Sequence, residues 1–568
     1  MKGDLAVGKE LAAELGMAQT ERKRSAADRA LDYTLESCQE LFHDQYGDPF
    51  IAFLDESDRC QVWPIKSKAA GSFIRWRFFA EEQKGLRGDA LATARGALEA
   101  RARFKGNRRE LSLRVARAKD AFWYDLGDGR AVATTRETWT IIPQPPILFR
   151  RYAHQQPQVE PILGGTLDPF LDLLNVQRPS LRLLIKVYLV AALVPGISLP
   201  AVIVFGEQGT AKSTLFAMLR RALDPSGLKS LAPPDSLREF VQLAAHHRTV
   251  YLDNMSHLPD WLSDALCRLC TGEGFTKREL YSDDDDVVYS FRGLGGVNGI
   301  SLVVTKPDLL DRGLLLPLEP IPDERRHSEA ALFANLESLM PETLGAMCSA
   351  LSVAMRLRPH ITVQRLPRMA DFSLWGIAIA QALGCDGQEF LDAYQQNVAA
   401  QNEAALDESL LARALLYLIP EGGLWSGTAT DLTAALKVAA EAARIDVKAR
   451  HWPKAPNAVT RRLREVMPNL RRSGFSIIET RTKGIVTWTI SRQGPENIAS
   501  IAITAPQTPV VPESSISLPA PRTSLPEQET PLPHAARQQK PGSGSSDEGG
   551  IPPGSTGSGK REEEKGRV

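Results

Sequence analysis

The stretch "VFGEQGTAKSTLF", from Val204 to Phe216, decides the fold predicted for this chain. It nearly matches the phosphate-binding loop pattern G-x-x-x-x-G-K-[ST], except that Ala211 stands where the last glycine is expected. The apolar run "AVIVF" predicts a buried strand before the loop, and "TLFAMLRRAL" predicts an amphipathic helix after it. A phosphate loop requires this strand–loop–helix context. The alternative is a glycine-containing turn between a strand and a helix.

The residue types in this loop fit the binding of ATP with Mg²⁺. Gly206 and Gly209 allow a tight backbone, Lys212 would contact the β- and γ-phosphates, and the Ser213 hydroxyl would bind Mg²⁺. Ala211 adds one methyl group, and we expect the backbone still to approach the phosphates if its φ is negative. The predicted nucleotide-binding residues are Gly206, Glu207, Gln208, Gly209, Thr210, Ala211, Lys212, Ser213 and Thr214.

A second strand, "RTVYL", supplies the acid that such a site needs. It ends at Asp253, which would hold Mg²⁺ through water, unless this residue only caps a following helix. Asn254 follows, where many ATPases carry an acidic catalytic base. An asparagine cannot accept a proton, but it can orient the attacking water, so we expect slow hydrolysis.

Two later residues are candidates for contacts with the terminal phosphate. Asn298 ends an apolar strand, in the position of a sensor residue, although an asparagine before Gly299 is equally typical of a turn. Arg312 precedes the strand "GLLLPL" and could reach the nucleotide of a neighbouring subunit. Its alternative is a surface ion pair with Asp308 or Asp311.

Composition excludes several classes of protein. The formal net charge of the 568 residues is zero, so any affinity for nucleic acid must come from a local patch. The six cysteines are scattered, which indicates a reducing cytoplasm rather than a disulfide scaffold. Cys267 and Cys270 form a C-x-x-C without a second pair, which favours a packed helix over a zinc site. The start of the chain has no apolar core as long as that of a signal peptide, and the longest apolar stretch is too interrupted to span a membrane.

Changes in pattern along the chain predict an α/β protein built on a parallel-sheet P-loop core, and the resemblance given in the next paragraph implies that this core is of the AAA+ type. The predicted regions are a flexible N-terminus over 1–25, an α/β accessory domain over 26–155, the ATPase core over 156–325, a helical lid over 326–408, a winged-helix DNA-binding domain over 409–492 and a disordered Pro/Ser/Gly-rich tail over 493–568. In the lid, Arg365 or Arg368 could be a sensor arginine, or could pair with Asp371 at a helix start.

From Val204 to Leu318 the sequence resembles the ATPase core of superfamily III-like AAA+ helicases, and most of all the helicase portion of phage and plasmid primase–helicases. The segments that carry the resemblance are "YLDN", "LCRLCTGEGFTKRELY", "GGVNGI" and "LLDRGLLLPL". "GEQGTAKS" is similar to the loop of minichromosome-maintenance helicases, which have alanine at the position of Ala211. The whole chain also resembles uncharacterised ATP-binding proteins of actinobacterial and phage-like mobile elements.

The resemblance implies a homo-oligomeric ring, with Lys212, Asp253 and Asn298 acting within one subunit and Arg312 acting on the next. A separate primase or other replication proteins would be partners. The sequence departs from the family at Asn254 and at an acidic hairpin tip, Asp283 to Asp286, which is read here as a solvated loop. Lys277 and Arg278 remain as the basic residues of that hairpin that could bind DNA phosphates.

A basic stretch from Lys448 to Phe475 is the second candidate for DNA binding. "APNAVTRRLREVM" predicts a helix with Asn457 as its N-cap, and "FSIIETRTKGIVTWTI" predicts a hairpin. This order is typical of a winged helix, with its arginines facing DNA. The alternative is a solvated arginine-rich helix. The predicted DNA contacts in this stretch are Lys454, Arg461, Arg462 and Arg464.

Three functions remain open at this point. The first is an ATP-driven replicative helicase, or a helicase-like protein, of a mobile element. The second is an ATP-gated DNA-binding switch that hydrolyses ATP slowly and unwinds nothing, which Asn254 and the acidic hairpin favour. The third is a DNA-binding initiator that binds ATP only structurally. All three are cytoplasmic and act on single- or double-stranded DNA.

Overall fold

The computed structural model describes residues 24–278, 286–289, 292–304, 306–364, 366–449, 452–482 and 485–492. Of residues 276–278, 286–289 and 485 it describes the backbone alone. The acidic hairpin tip before Asp286, nearly all of the predicted flexible N-terminus, the predicted tail and Arg365 lie outside the described residues.

The amino-terminal region is mixed α/β, as predicted. Its helices are α1 Ala26–Ser37, α2 Lys68–Glu82 and α3 Gly88–Phe104. Its strands are β1 Cys38–His43, β2 Pro49–Leu54, β3 Cys60–Pro64, β4 Asn107–Arg108, β5 Leu111–Ser112, β6 Val115–Ala118, β7 Ala121–Asp125, β8 Ala131–Thr134, β9 Trp139–Ile142 and β10 Leu148–Phe149. They form two four-stranded sheets, in the orders β3-β2-β1-β4 and β6-β7-β8-β9, and the small parallel pair β10-β5.

A buried ion pair joins this region to the part of the chain that follows. The Arg114 guanidinium donates to the Asp224 carboxylate over 2.9 Å, and both side chains are almost completely excluded from solvent. Arg114 also donates to the backbone oxygens of Gln156 and Pro225. Because a buried charge is tolerated only when it is paired and hydrogen-bonded, these contacts fix the two regions together.

The central region is built on a four-stranded parallel sheet in the order β12-β15-β11-β16. Its strands are β11 Ala201–Phe205, β12 Thr249–Met255, β13 Phe275–Arg278, β14 Asp286–Tyr289, β15 Leu294–Gly299 and β16 Gly313–Pro317, of which β13 and β14 pair as a separate antiparallel hairpin. Its helices are α4 Asp168–Leu173, α5 Pro179–Ala191, α6 Lys212–Leu223, α7 Leu237–His246, α8 Asp260–Thr271 and α9 Pro307–Leu310.

Successive residues of β11 face opposite sides of this sheet. Val202 and Val204 belong to one apolar core, and Ala201 and Ile203 belong to another. Both faces are therefore covered, which explains why the strand reads as an unbroken apolar run rather than an alternating one. The predicted order of a helix and then a buried strand is confirmed by α5 and β11.

The remaining described chain is a helical region followed by a compact α/β unit. The helices of the first are α10 Glu329–Leu357, α11 Ala370–Ala382 and α12 Gly387–Glu408. The second contains α13 Leu410–Leu418, β17 Leu424–Thr428, α14 Ala429–Ala442, α15 Pro456–Arg472, β18 Phe475–Thr482 and β19 Ile485–Arg492. Its strands form an antiparallel sheet in the order β17-β19-β18. Among the described helices, none is long and apolar enough to cross a membrane.

Two details of the carboxy-terminal unit differ from expectation. Helix α15 begins at Pro456, two residues before the start that Asn457 as N-cap would give, and its N-cap is Ala455, so the assignment of Asn457 as the N-cap is wrong. The reason is Pro456, whose fixed φ and missing N–H suit the first helical position. Strand β17 was not predicted, because the run "LWSGT" contains a serine and a glycine.

Candidate functional site

The carboxyl ends of three adjacent strands bring the predicted site residues together. Strand β11 leads directly into the loop before α6, β12 carries Asp253, and β15 carries Asn298 between them. Because the strands are parallel, their ends meet at one edge of the sheet. The sheet order therefore positions residues that are far apart in sequence.

Glycine is required at the beginning of the loop. Gly206 has a φ of +153°, and a Cβ atom there would lie 2.3 Å from the backbone oxygen of Leu318. Gly209 has a φ of +80°, and a Cβ atom there would make only an ordinary contact, with Arg326 Nη2 at 3.9 Å, so its need for glycine is conformational rather than steric.

Ala211 does not have the negative φ that the sequence interpretation required. Its φ is +63° and its ψ is 33°, which is the left-handed helical region. This conformation costs an alanine about 1–2 kcal/mol, whereas it costs a glycine almost nothing. The loop keeps its conformation nonetheless, and the Ala211 oxygen accepts the first hydrogen bond of α6, from Leu215 N, over 2.9 Å. The predicted condition is therefore wrong, although the loop itself is formed.

Lys212 folds back across the loop. Its Nζ donates to the backbone oxygens of Gly206, over 2.8 Å, and Glu207, over 2.7 Å. Partial burial lowers the pKa of Lys212, and the nearby Asp253 carboxylate opposes this shift. The ammonium group thus has backbone carbonyls as its partners, and a phosphate anion would be a stronger one.

Asp253 lies at the centre of a set of uncharged donors. Its Oδ1 accepts from Ser213 Oγ over 2.8 Å and from Asn298 Nδ2 over 2.6 Å. Its Oδ2 accepts from Ser230 Oγ over 3.1 Å. A hydroxyl and a carboxylate within hydrogen-bond distance are hard oxygen ligands of the kind that Mg²⁺ prefers, so these residues fit the ion. Asp253 does not cap a helix, since α8 begins only at Asp260 with Pro259 as its N-cap.

Asn298 is a member of strand β15 rather than a turn residue, and it is 1% exposed. Its Oδ1 accepts from the backbone N–H of Asn254 over 2.7 Å, which turns its Nδ2 toward Asp253. Asn254 has a φ of +58° at an irregularity of β12, and its side chain is exposed. Asparagine tolerates this conformation better than most residues, which gives a backbone reason for its presence.

Sequence reasoning missed two residues of the site. Ser230 reaches Asp253 because Leu231 bridges to Leu252 in parallel beside β12. Asn175 Nδ2 donates to the backbone oxygens of Thr210, over 3.1 Å, and Glu319, over 2.7 Å. Both contacts are long-range, and neither residue belongs to a recognisable motif.

Arg312 lies in an ion-pair cluster away from the loop. It pairs with Asp308, which was its alternative interpretation, and its side chain is 15% exposed. Arg368 pairs with Asp308 and Asp311 rather than with Asp371. Arg472, from the end of α15, also pairs with Asp311. The cluster thus joins the central region, the helical region and the carboxy-terminal unit.

Arg461, Arg462 and Arg464 of α15 point largely outward, as predicted. Arg461 is 80% exposed, with Glu465 4.0 Å away, and Arg462 pairs with Glu465 over 2.7 Å. Arg464 pairs with Glu479 and its guanidinium lies 5.5 Å from the centre of the Trp488 ring. Lys454 is exposed. Lys277 and Arg278 lie on β13, and their side chains are outside the described residues.

The C-x-x-C pair is buried in the packing of α8, as predicted. Burial raises the pKa of Cys270 to about 11 and also raises that of Cys267, so both thiols stay protonated. In the part of the chain that the structure describes, no group of histidine, cysteine and acidic residues is arranged to hold a metal ion.

Comparison with known proteins places the chain in a family. Residues 167–403 match the family model of the actinomycete integrative conjugative element replication protein. Residues 411–507 match the model of the C-terminal domain of the same protein. Comparison with curated proteins gives no match.

Among solved structures, two apo structures of the NrS-1 C-terminal region align with TM-scores of 0.38 and 0.37 and 11% identity. Each alignment covers 83% of this chain and 100% of the other. TM-scores this low support no conclusion about fold or function. The two family matches together span more than half of the chain, which therefore belongs to the actinomycete integrative conjugative element replication proteins.

Proposed function

We propose that this replication protein binds and hydrolyses ATP through its residues 206–213, and that it is a helicase-type AAA+ ATPase acting on DNA. The observation that carries the proposal is the convergence of Lys212, Ser213, Asp253 and Asn298 at one edge of the parallel sheet. A lysine in a glycine-containing loop, a hydroxyl and an acid on the neighbouring strand are the parts that phosphoryl transfer needs.

Each side chain has a defined role in this proposal. Lys212 exchanges its backbone carbonyl partners for the β- and γ-phosphates. Ser213 and Asp253 would hold Mg²⁺, and the ion would neutralise negative charge that develops on the phosphates. Asn298 keeps Asp253 oriented and presents its amide at the edge where the terminal phosphate would lie. Catalysis then rests on positioning and charge rather than on covalent chemistry.

Asn254 favours a second candidate function, the ATP-gated switch. Its exposed side chain cannot act as a base, and its backbone N–H already binds Asn298. Hydrolysis without a base would be slow, and such a site would serve as a timer for DNA binding. The two candidates differ in whether ATP turnover is coupled to strand separation.

We propose further that residues 409–492 form a winged helix that binds DNA. The order helix, strand, helix, helix and hairpin in this unit supports the proposal, because it matches the element order of that motif. The exposed arginines of α15, with Arg461 the most open of the three, would contact phosphates or base edges.

A ring of subunits would place Arg312 at the nucleotide of a neighbour. In this chain its guanidinium is held by Asp308. For Arg312 to contact the nucleotide of a neighbouring subunit, that subunit must approach this ion-pair cluster, or Arg312 must leave Asp308. Sedimentation of the protein with and without ATP would show whether a ring forms.

The test is ATP hydrolysis by the full-length protein with no DNA, single-stranded DNA and double-stranded DNA. Lys212→Ala should abolish turnover, and Lys84→Ala, at an exposed site far from the loop in sequence, should leave it unchanged. Strand displacement on a forked duplex then separates the two candidates. A helicase unwinds the fork with ATP, whereas a switch hydrolyses ATP without unwinding. Equal turnover by the Lys212→Ala variant and the unaltered protein would refute both.

A further inference from the structure

A segment that sequence patterns did not single out runs beside the phosphate loop. After β16 the chain continues past Leu318, whose N–H donates to Phe205 O over 2.8 Å and whose oxygen faces Gly206. The next residue, Glu319, accepts from the same Asn175 amide that binds the loop at Thr210. The segment is therefore fixed to the loop at two points before it reaches α10.

Arg326, near the end of this segment, brings a second cation to the loop. Its Nη2 atom lies 3.9 Å from the position that a Cβ atom would occupy at Gly209. Its Nη1 lies 3.3 Å from a carboxylate oxygen of Asp323, in an ion pair whose side chains are 60% and 87% exposed. Its Nε donates to Ile321 O over 3.4 Å, a long hydrogen bond.

These partners hold the Arg326 guanidinium only weakly. An ion pair this exposed contributes little to stability, because water screens it and two long side chains must be ordered to form it. A guanidinium binds phosphate oxygens through two parallel N–H groups, and such charge-assisted bonds are about twice as strong as neutral ones. A phosphate in the loop would therefore compete well with Asp323.

The position of Gly209 in the loop indicates which phosphate of a bound nucleotide Arg326 would contact. The amino end of α6, at Lys212, is where the phosphates nearer the nucleoside are cradled in such loops. Gly209 lies earlier in the loop, and Lys212 Nζ reaches back over the same stretch to Gly206 and Glu207. A cation beside Gly209 consequently faces the end of the phosphate chain.

We propose that Arg326 binds the terminal phosphate of ATP from within the same chain, and that it makes the site distinguish a nucleoside triphosphate from a diphosphate. This inference rests on the proposed nucleotide site and adds a residue that no motif contains. It also gives the segment before α10 a role in sensing the nucleotide.

The experiment is a fluorescence titration of the full-length protein with Mg²⁺ and the N-methylanthraniloyl derivatives of ATP and ADP. Arg326→Ala should weaken ATP binding about tenfold or more, as expected for the loss of one charge-assisted contact, and should change ADP binding less than about twofold. Arg326→Lys should recover part of the ATP affinity. Arg325→Ala is the matched control, because Arg325 is an exposed arginine next in sequence, and it should leave both affinities unchanged.

The outcomes separate this inference from the proposed function. If Lys212→Ala weakens both nucleotides while Arg326→Ala weakens neither, the site exists and the role of Arg326 is wrong. An equal loss of ATP and ADP affinity in Arg326→Ala would overturn the assignment to the terminal phosphate. Unchanged binding in Lys212→Ala would refute the proposed site, and this inference with it.

Discussion

Asp253 on the one hand, and Asp308 and Asp311 on the other, lie in two different kinds of polar cluster. Asp253 accepts hydrogen bonds from the uncharged groups of Ser213, Ser230 and Asn298. Asp308 and Asp311 are each paired with two arginines, among Arg312, Arg368 and Arg472. Both clusters are well hydrogen-bonded, but only the second neutralises its carboxylates with directly bound cations.

The difference between the two clusters distinguishes a carboxylate that is suited to bind a ligand from one that holds segments of the chain together. A carboxylate surrounded by uncharged donors is oriented while it keeps its negative charge, which suits it to hold Mg²⁺. The negative charge of a carboxylate paired with two arginines is already neutralised, and removal of the carboxylate takes a partner from each of these cations. We therefore expect substitution of Asp253 to lower activity more than stability, and substitution of Asp308 or Asp311 to lower stability.

Asp253→Asn should have the largest effect on function. The substitution keeps the shape of the side chain and removes the charge that we propose holds Mg²⁺, so ATP turnover should fall about a hundredfold or more. The free energy of unfolding should change by less than about 1 kcal/mol, because no directly paired cation loses its partner. Steady-state turnover and urea unfolding of the same preparation measure the two effects. A stability loss as large as the activity loss would show that Asp253 is structural.

Asp311→Ala should have the largest effect on stability. Arg368 and Arg472 would both lose a partner that is only 6% exposed, so the free energy of unfolding should fall by about 2–4 kcal/mol. Asp371→Ala is the matched control, since Asp371 is exposed and is not the partner of Arg368. Urea unfolding measures the free energy of unfolding of both variants, and equal values would contradict a structural role for Asp311.

Two arginines of α15 should also differ in role, one acting in DNA binding and the other in stability. Arg461 is 80% exposed, so Arg461→Ala should weaken DNA binding and lower the slope of log affinity against log salt by about one. Arg472→Ala should instead lower stability, because Arg472 is bound to Asp311 and Asn402. Fluorescence anisotropy with labelled DNA at several salt concentrations tests this. A smaller salt slope in Arg472→Ala than in Arg461→Ala would reverse the assignment.

Ala211 should give the smallest effect. Ala211→Gly removes the strain of a positive φ but adds conformational freedom to the unfolded chain, so stability should rise by at most about 1 kcal/mol. ATP affinity should be retained. Ala211→Val, with a β-branched side chain in the same conformation, should lower both stability and affinity. Thermal unfolding with and without ATP distinguishes the variants, and a stabilised Ala211→Val would show that the loop adopts another conformation.

The sequence was sufficient to predict the convergence of those candidate residues whose positions depend on strand order. Gly206, Lys212, Asp253 and Asn298 could be assigned because each follows or ends an apolar run, and the ends of parallel strands meet at one edge. The element order of the carboxy-terminal unit was also predictable, apart from β17 and the start of α15.

The rest depends on contacts between segments that have no motif. Ser230 approaches Asp253 through a single bridge beside β12, and Arg472 meets Asp311 from a separate unit of the chain. A sequence pattern shows which side chains face outward, but not which acid each arginine will pair with. The positive φ of Ala211 was missed, although the glycine that the motif expects at this position is the residue type that most readily adopts a positive φ.

The most direct test of the account is calorimetric titration of ATP into the full-length protein, first with Mg²⁺ and then with the ion chelated. We predict saturable binding that weakens markedly without Mg²⁺ and is lost in Lys212→Ala. Asp253→Asn should bind ATP alike under both conditions, because it can no longer hold the ion. Binding that is indifferent to Mg²⁺ in the unaltered protein, or intact in Lys212→Ala, would contradict the assignment of this edge of the sheet as a nucleotide site.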